Sequence, residues 1–287
     1  MNYIILDLEW NCVFNEKQDR FFNEIIEVGA VKADESLTAS DRFSSYIRPE
    51  YSKQLTSYVA SLTKIEYTDL MKAPSFSAVM KSFTKWAGQD AVIMTWSTTD
   101  LNVLIDNFKT FKGIKAIPFL KSFCNLQKYT QQRLGAANKN QMGLDTAARQ
   151  LGLLDAEDNS HRALDDSALT LEIFKKVYDG KLEGYIQEAD KRFYDRLLYK
   201  NLTLSNINDP LINKRRMRSN CPDCSKPARR VTDWKYKKPY FSAMFICAAC
   251  KHKFFCRIQF KLKHEGMTVK KQLQSVITND NQRMMKS

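Results

Sequence analysis

"MNYIILDLEWN", residues 1–11, poses the question that decides the fold. Tyr3 to Leu6 form an apolar run of the kind found in a central strand covered on both faces. Asp7 and Glu9 then follow two positions apart. Strand side chains alternate, so both carboxylates project to one face, roughly 6.5–7 Å apart along the chain. Burying two anions there is costly unless something cationic compensates. Taken alone, the segment is equally a strand that ends at the protein edge with both acids in water.

The flanking sequence reads as α/β. "EIIEVGAVKA" (24–33) and "RFSSYIRPE" (42–50) are two further strands, closely spaced as in a meander. "APSFSAVMKSFTKWAG" (73–88) has a Pro-Ser entry, apolar residues at helical spacing and Gly88 at its end, which predicts a helix. "DAVIMTWS" (90–97) is a second buried-strand candidate, followed by a helix over "TDLNVLIDNFKTF" (99–111). "IPFLKSFCNL" (117–126) is ambiguous between loop and short strand. "GLDTAARQLGL" (143–153) and "HRALDDSALTLEIFKKVYDG" (161–180) read as helices. The expected organisation is an α/β domain over 1–180, a helical and basic connector over 181–220, a cysteine-marked module over 221–265 and an uninformative tail over 266–287.

The 287 residues are 44% hydrophobic and 11% aromatic, enough for a packed core. No window approaches the roughly 18 apolar residues of a membrane helix. The first apolar run meets Asp7 at once, so no secretory signal is read there. Of seven cysteines, Cys12 and Cys124 are isolated and five cluster toward the C-terminal end, a pattern that suggests metal ligation in a reducing, cytoplasmic setting more than disulfides. Charge is uneven: residues 1–180 carry 21 Lys and Arg against 23 Asp and Glu, residues 181–287 carry 24 against 9. The net +13 therefore resides in the last third, an electrostatic footprint for a polyanion and specifically for nucleic acid.

Two more acids stand where chemistry is placed in α/β folds. Asp100 follows the second apolar run as a helix begins, at the strand end where such sheets bind ligands; taken alone, a helix cap explains it better. Asp166 shares a helix stripe with Leu169, Ile173 and Val177, whereas Asp165 aligns with Glu172 and Lys176 on the solvated side. An acid pointing inward from an apolar stripe calls for a partner. His161, one of three histidines, lies just before it.

In order, Asp7-x-Glu9, Asp100 and His161-x-x-x-x-Asp166 resemble the signature of the DEDDh exonucleases, the DnaQ-like group with an RNase H-like fold. "EIIEVGAV" (24–31), "LTKIEYTDLMKAPSF" (62–76) and "GLDTAARQLGL" agree with it, and "DLEWN" (7–11) and "TWSTTD" (95–100) look closest to the Eri-like and KapD-like 3′ exonucleases. The resemblance covers about residues 1–180. It implies a mixed sheet flanked by helices, and two Mg²⁺ or Mn²⁺ ions held by Asp7, Glu9, Asp100 and Asp166. The ions, roughly 4 Å apart, would clamp the scissile phosphate. His161 would take the proton of the attacking water, and nucleoside 5′-monophosphates would leave a 3′ end. Leu8, Trp10 and Ile65 would flank the terminal nucleotide by the same resemblance, although Trp10 and Asn11 stand where many members carry Thr or Phe.

"CPDC" (221–224) and "CAAC" (247–250), 22 residues apart, make two C-x-x-C knuckles. Cys221, Cys224, Cys247 and Cys250 fit one structural Zn²⁺ held by four thiolates in a zinc ribbon; His252 and Cys256 are further ligands within reach. Between the knuckles, "KPARRVTDWKYKKPYFSAMFI" (226–246) alternates aromatic with basic residues, as exposed strands that meet phosphates and bases do. The leading expectation is a metal-dependent 3′→5′ exonuclease with RNA favoured and single-stranded DNA as the other substrate. The other reading is a nucleic-acid-binding adaptor in which the exonuclease-like domain is a non-catalytic scaffold. Nothing in the sequence identifies a protein partner.

Overall fold

Burial decides the strands of the first unit. The computed structural model describes residues 2–16, 19–136, 140–154 and 161–276, and the chain divides into two units, 1–198 and 199–287. In the first, β1 (Asn2–Asn15) and β2 (Arg20–Ala33) form a long antiparallel hairpin, with β3 (Ala39–Tyr46) outside β2. Three helices follow, α1 (Ser57–Thr63), α2 (Tyr67–Met71) and α3 (Phe76–Ala87). Ser75 caps α3 by accepting from the Ala78 N–H, and Gly88 ends it at a φ of 77°, a left-handed value that suits glycine.

β4 (Ala91–Thr95) pairs parallel to β1 and leads into α4 (Thr99–Lys112). β5 (Ser122–Asn125) settles the ambiguous stretch as a strand parallel to β4. α5 (Leu126–Arg133), α6 (Leu144–Gln150) and α7 (Ala163–Val177) come next. The connector expected from residue 181 is instead split: β6 (Ile186–Glu188) adds an antiparallel edge to β5, and α8 (Lys191–Leu198) buries Phe193 in the first unit's core. A three-residue strand carries no readable periodicity, so only the fold reveals it. The sheet order is β3-β2-β1-β4-β5-β6.

Each face of this sheet has its own core. Ile4, Leu6 and Leu8 of β1 join Ile93, Phe83 and Phe108 under α3, α4 and α8. Tyr3 and Ile5, on the other face, join Met94, Leu171 and Phe174 under α5 to α7. A fully buried Leu, Ile or Phe contributes roughly 1.5–3 kcal/mol. β1 is thus anchored on both sides before it reaches its acids.

The second unit is a sheet of short and long strands. β7 (Leu202–Thr203), β8 (Ser219–Asn220), β9 (Pro227–Arg230) and β10 (Lys235–Lys237) surround β11 (Tyr240–Cys247), β12 (Lys253–Lys263) and β13 (Gly266–Ser275). The path runs β13-β12-β11-β9-β8, with β10 on β11 and β7 on β12. Phe241, Phe245, Phe254, Ile258 and Phe260 fill its inner face. The expected tail therefore begins as a paired strand; residues 277–287 lie outside those described.

Candidate active site

Register on β1 and β2 assembles the site. Asp7 lies opposite Gly29 and Glu9 opposite Glu27, with a bulge between Glu9 and Trp10. These four positions continue the face on which Tyr3 and Ile5 meet α7. Tyr3 packs edge-on to Phe174 near the far end of that helix, with ring centres 6.3 Å apart. The first turn of α7, carrying Asp166, consequently reaches the two acids. One oxygen each from Asp7, Glu9 and Asp166 lie within 4.8 Å of one another.

What allows so close an approach is Gly29. A Cβ there would sit 2.1 Å from the Ala163 carbonyl carbon and 2.1 Å from the Leu164 nitrogen, both backbone atoms of α7. The Ser167 hydroxyl donates to the Gly29 carbonyl at 2.9 Å, and Glu27 accepts from the Ala163 N–H at 3.3 Å. Glu27 is 1% exposed and is compensated by Arg162, whose Nε and Nη2 reach it at 3.2 and 2.8 Å. The Tyr46 hydroxyl accepts a further hydrogen bond from Arg162 at 2.9 Å. Glu27, Arg162 and Gly29 were absent from the sequence expectations; an acid between Ile26 and Val28 in an apolar run was the available signal.

Asp100 opens α4, beside the end of β4, and is 5% exposed. It stands outside the group of three but adds repulsion to Asp7 and Glu9. His161 precedes α7, its side chain 31% exposed and its Nδ1 3.7 Å from Asp166 Oδ2. All five polar residues expected from the sequence are therefore gathered around the middle of β1, just beyond the stretch that pairs with β4.

The three residues expected to flank a nucleotide divide. Leu8 alternates to the opposite face from Asp7 and Glu9, and its side chain packs in the core at 3% exposure. Ile65, also 3% exposed, packs with Ile26, Val59 and Leu70. Only Trp10 of the three keeps accessible surface. Asn11 is buried and structural: its amide donates to Ser52 Oγ and the Gln54 carbonyl and accepts from the Thr56 N–H, fixing the turn that enters α1.

Burial and like charge together oppose ionisation of these acids. Burial, then Asp100, Asp166 and Glu9, hold the Asp7 carboxyl well above its usual range. Burial and Asp166 push Glu9 up to about 8, against the opposing pull of Arg162. Burial raises Asp100 to about 7, and burial with Asp145 and Asp165 raises Asp166 to about 7. Arg162 is already committed to Glu27. An all-oxygen donor set with unrelieved mutual repulsion fits hard divalent cations, which would replace the protons these groups otherwise retain.

In the second unit the four knuckle cysteines converge. Sγ of Cys221 lies 3.5 Å from Cys250, and Cys224 lies 3.4 Å from Cys247 and 3.5 Å from Cys250. All are free thiols. The two knuckles share a geometry: the N–H four residues on, of Ser225 and of Lys251, donates to the carbonyl of Cys221 and of Cys247. Both Ser225 and Lys251 are left-handed, at φ 59° and 63°. Backbone N–H groups, that of Cys250 first, pull Cys247 down to about 6. Cys250 rises to about 12: the His252 N–H favours its thiolate, but desolvation and then the surrounding sulfurs outweigh it. Four sulfurs at this separation fit a tetrahedral thiolate site such as zinc takes. His252 and Cys256 stay out of it. His252 Nδ1 pairs with Asp223 at 2.8 Å, and Cys256 is fully buried in the apolar cluster.

A mixed sheet with an acidic cluster midway along its long central strand, reached by the first turn of a covering helix, defines a nuclease-type α/β fold. The chain belongs to the exonuclease family (RNase_T), whose model matches residues 4–174. It is 27% identical over 192 residues to human "3'-5' exoribonuclease 1", covering 64% of this chain and 54% of that protein. It is 28% identical over 180 residues to the "Probable 3'-5' exonuclease KapD" of Bacillus subtilis, covering 62% of this chain and 85% of that one. The match thus spans only about half the length of the mammalian relatives. Among solved structures, the nuclease domain of 3'hExo, a DEDDh family member bound to rAMP, superposes with a TM-score of 0.52 at 25% identity, over 61% of this chain and 90% of that one. The fold is the RNase H-like exonuclease fold, followed by a small module marked by the cysteine cluster. Among the described residues no helix is long and apolar enough to cross a membrane.

Proposed function

We propose that this chain is a divalent-metal-dependent 3′→5′ exonuclease that shortens RNA, and single-stranded DNA less readily, to nucleoside 5′-monophosphates. The observation that carries the reading is the acidic cluster: Asp7, Glu9 and Asp166 within 4.8 Å, with Asp100 buried beside them. A scaffold would gain nothing from carboxylates held in mutual repulsion, which argues against the adaptor reading. The relatives' names support an exonuclease, and exoribonucleases among them favour RNA.

Asp7, Glu9, Asp100 and Asp166 would hold two Mg²⁺ or Mn²⁺ ions. When bound, such ions supply an activated water and charge stabilisation at the departing oxygen. The chain's own residues do the rest. His161, accessible and 3.7 Å from Asp166, accepts the proton of the water whose oxygen attacks phosphorus. The bond from phosphorus to the preceding nucleotide's 3′ oxygen breaks, and that oxygen leaves with the electron pair. Trp10 offers the terminal base an aromatic surface beside Glu9. Cys221, Cys224, Cys247 and Cys250 hold one structural Zn²⁺, which requires a reducing compartment such as the cytoplasm. The strongly basic second unit supplies affinity for the strand.

A 5′-labelled RNA tests the reading. The wild-type protein with Mg²⁺ or Mn²⁺ should give a ladder from the 3′ end, and Asp7→Asn should abolish it. Laddering that survives both Asp7→Asn and removal of the divalent ion would exclude this mechanism.

A further inference from the structure

We propose that the outer face of the second unit's sheet, built on β11, β12 and β13, is a docking platform for single-stranded nucleic acid, separate from the catalytic acids. The inference rests on the nucleic-acid reading above and assigns the binding surface within it.

Register gives the composition of this face. Along β12 the residues that alternate away from the core are Lys253, Phe255, Arg257, Gln259, Lys261 and Lys263. On β11 the positions facing the same way are Tyr240, Ser242, Met244 and Ile246. Residues directly opposite each other across antiparallel strands share a face. Lys235 and Lys237 of β10 therefore join it opposite Ser242 and Tyr240. Arg229 joins it opposite Ile246, and Lys270 opposite Gln259. Eight cations occupy the face, and none of its described positions is Asp or Glu.

The charges are interleaved with rings and apolar groups. Phe255 is 37% exposed, too much for a core residue, and lies opposite Met244. The Arg257 guanidinium lies 4.7 Å from the centre of the Tyr240 ring, so a cation and an aromatic face are held as a unit. Alternate strand residues recur about every 6.6–6.8 Å, so cations and rings alternate in rows across the sheet. Phosphates attract the cations, and base faces stack on Phe255 and Tyr240; a duplex hides its base faces, so this combination selects single strands. The unit as a whole, 199–287, has 20 Lys and Arg against 5 Asp and Glu.

The test is fluorescence anisotropy of the full-length chain, zinc retained and no Mg²⁺ or Mn²⁺ added, with labelled oligo(U). Phe255→Ala should weaken binding about 5- to 150-fold, the range for loss of one stacked base. The combined Lys235→Gln, Lys237→Gln, Lys261→Gln variant should lower the slope of log affinity against log salt by about 2, near 0.7 per phosphate contact. All four positions are on the surface, and retained thermal melting shows that the variants fold. Wild-type affinity and salt slope in both variants would overturn the proposal. So would capture of phosphatidylserine-rich vesicles in preference to the RNA, which would make the face a membrane surface. The measurement needs no turnover, so it decides the platform even if the wild-type protein leaves RNA intact.

Discussion

Replacing Gly29 by alanine adds one methyl group, and the structure says where it lands. Gly29 stands across the hairpin from Asp7, and the backbone of Ala163 in the first turn of α7 lies over it. The new Cβ would meet backbone at 2.1 Å, where ordinary contact begins at 3.4 Å, so strand and helix must part by at least 1.3 Å. No side-chain rotation relieves a clash with main chain. Asp166 rides on that turn, and the oxygens it shares with Asp7 and Glu9 lie within 4.8 Å only while the turn stays in place. Overpacking of this kind costs about 1–3 kcal/mol of stability, whereas a misplacement near 1 Å in a reacting site costs about 100-fold in rate. Gly29→Ala should therefore fold with a lowered melting temperature, bind Mn²⁺ weakly and lose about 100-fold or more in kcat/KM on a 5′-labelled RNA. Near-normal activity together with normal Mn²⁺ affinity would refute the argument that this glycine sets the metal geometry.

Other consequences are as direct. Arg162→Met leaves Glu27 buried without its cation and should cost about 3–5 kcal/mol in urea unfolding, most of it recovered in the double variant with Glu27→Gln. Because folding raises Glu9, Asp100 and Asp166, the native state binds more protons than the unfolded chain between pH about 4 and 8. Without Mg²⁺ or Mn²⁺, stability should thus fall as pH rises through that interval, by about 1.4 kcal/mol per unit of displacement of one carboxyl; thermal melts at pH 5 and 8, with and without Mn²⁺, check both the sign and the rescue. Cys247→Ser should remove the bound zinc, read by elemental analysis, and unfold the second unit while the first retains its own melting transition.

How much of this was visible in the sequence follows from how local each signal is. The apolar run of β1 and the paired acids after it share one strand period, so they could be read together. Asp166 was legible because a helical stripe assigns it to the buried side, and there it is 7% exposed. The knuckles were legible because ligand spacing within each is two residues. Glu27 and Arg162, by contrast, are 135 residues apart and neither explains itself without the other. Gly29 matters only because a distant helix crosses it. α8 did carry a helical signal in Phe193, Leu197 and Leu198, although its packing against the first unit depends on Phe123 and the rest of that core. In β13 the alternation of Met267, Val269 and Leu273 was interrupted by Lys271, which turns from the apolar row to donate to the Arg218 carbonyl at 2.5 Å.

Anomalous diffraction from a crystal soaked in Mn²⁺ tests most directly whether divalent cations are what reconcile these acids with one another. The account requires anomalous density among the carboxylates of Asp7, Glu9 and Asp166, with Asp100 at its margin. Well-ordered carboxylates with no manganese between them, at a concentration that saturates activity, would contradict it.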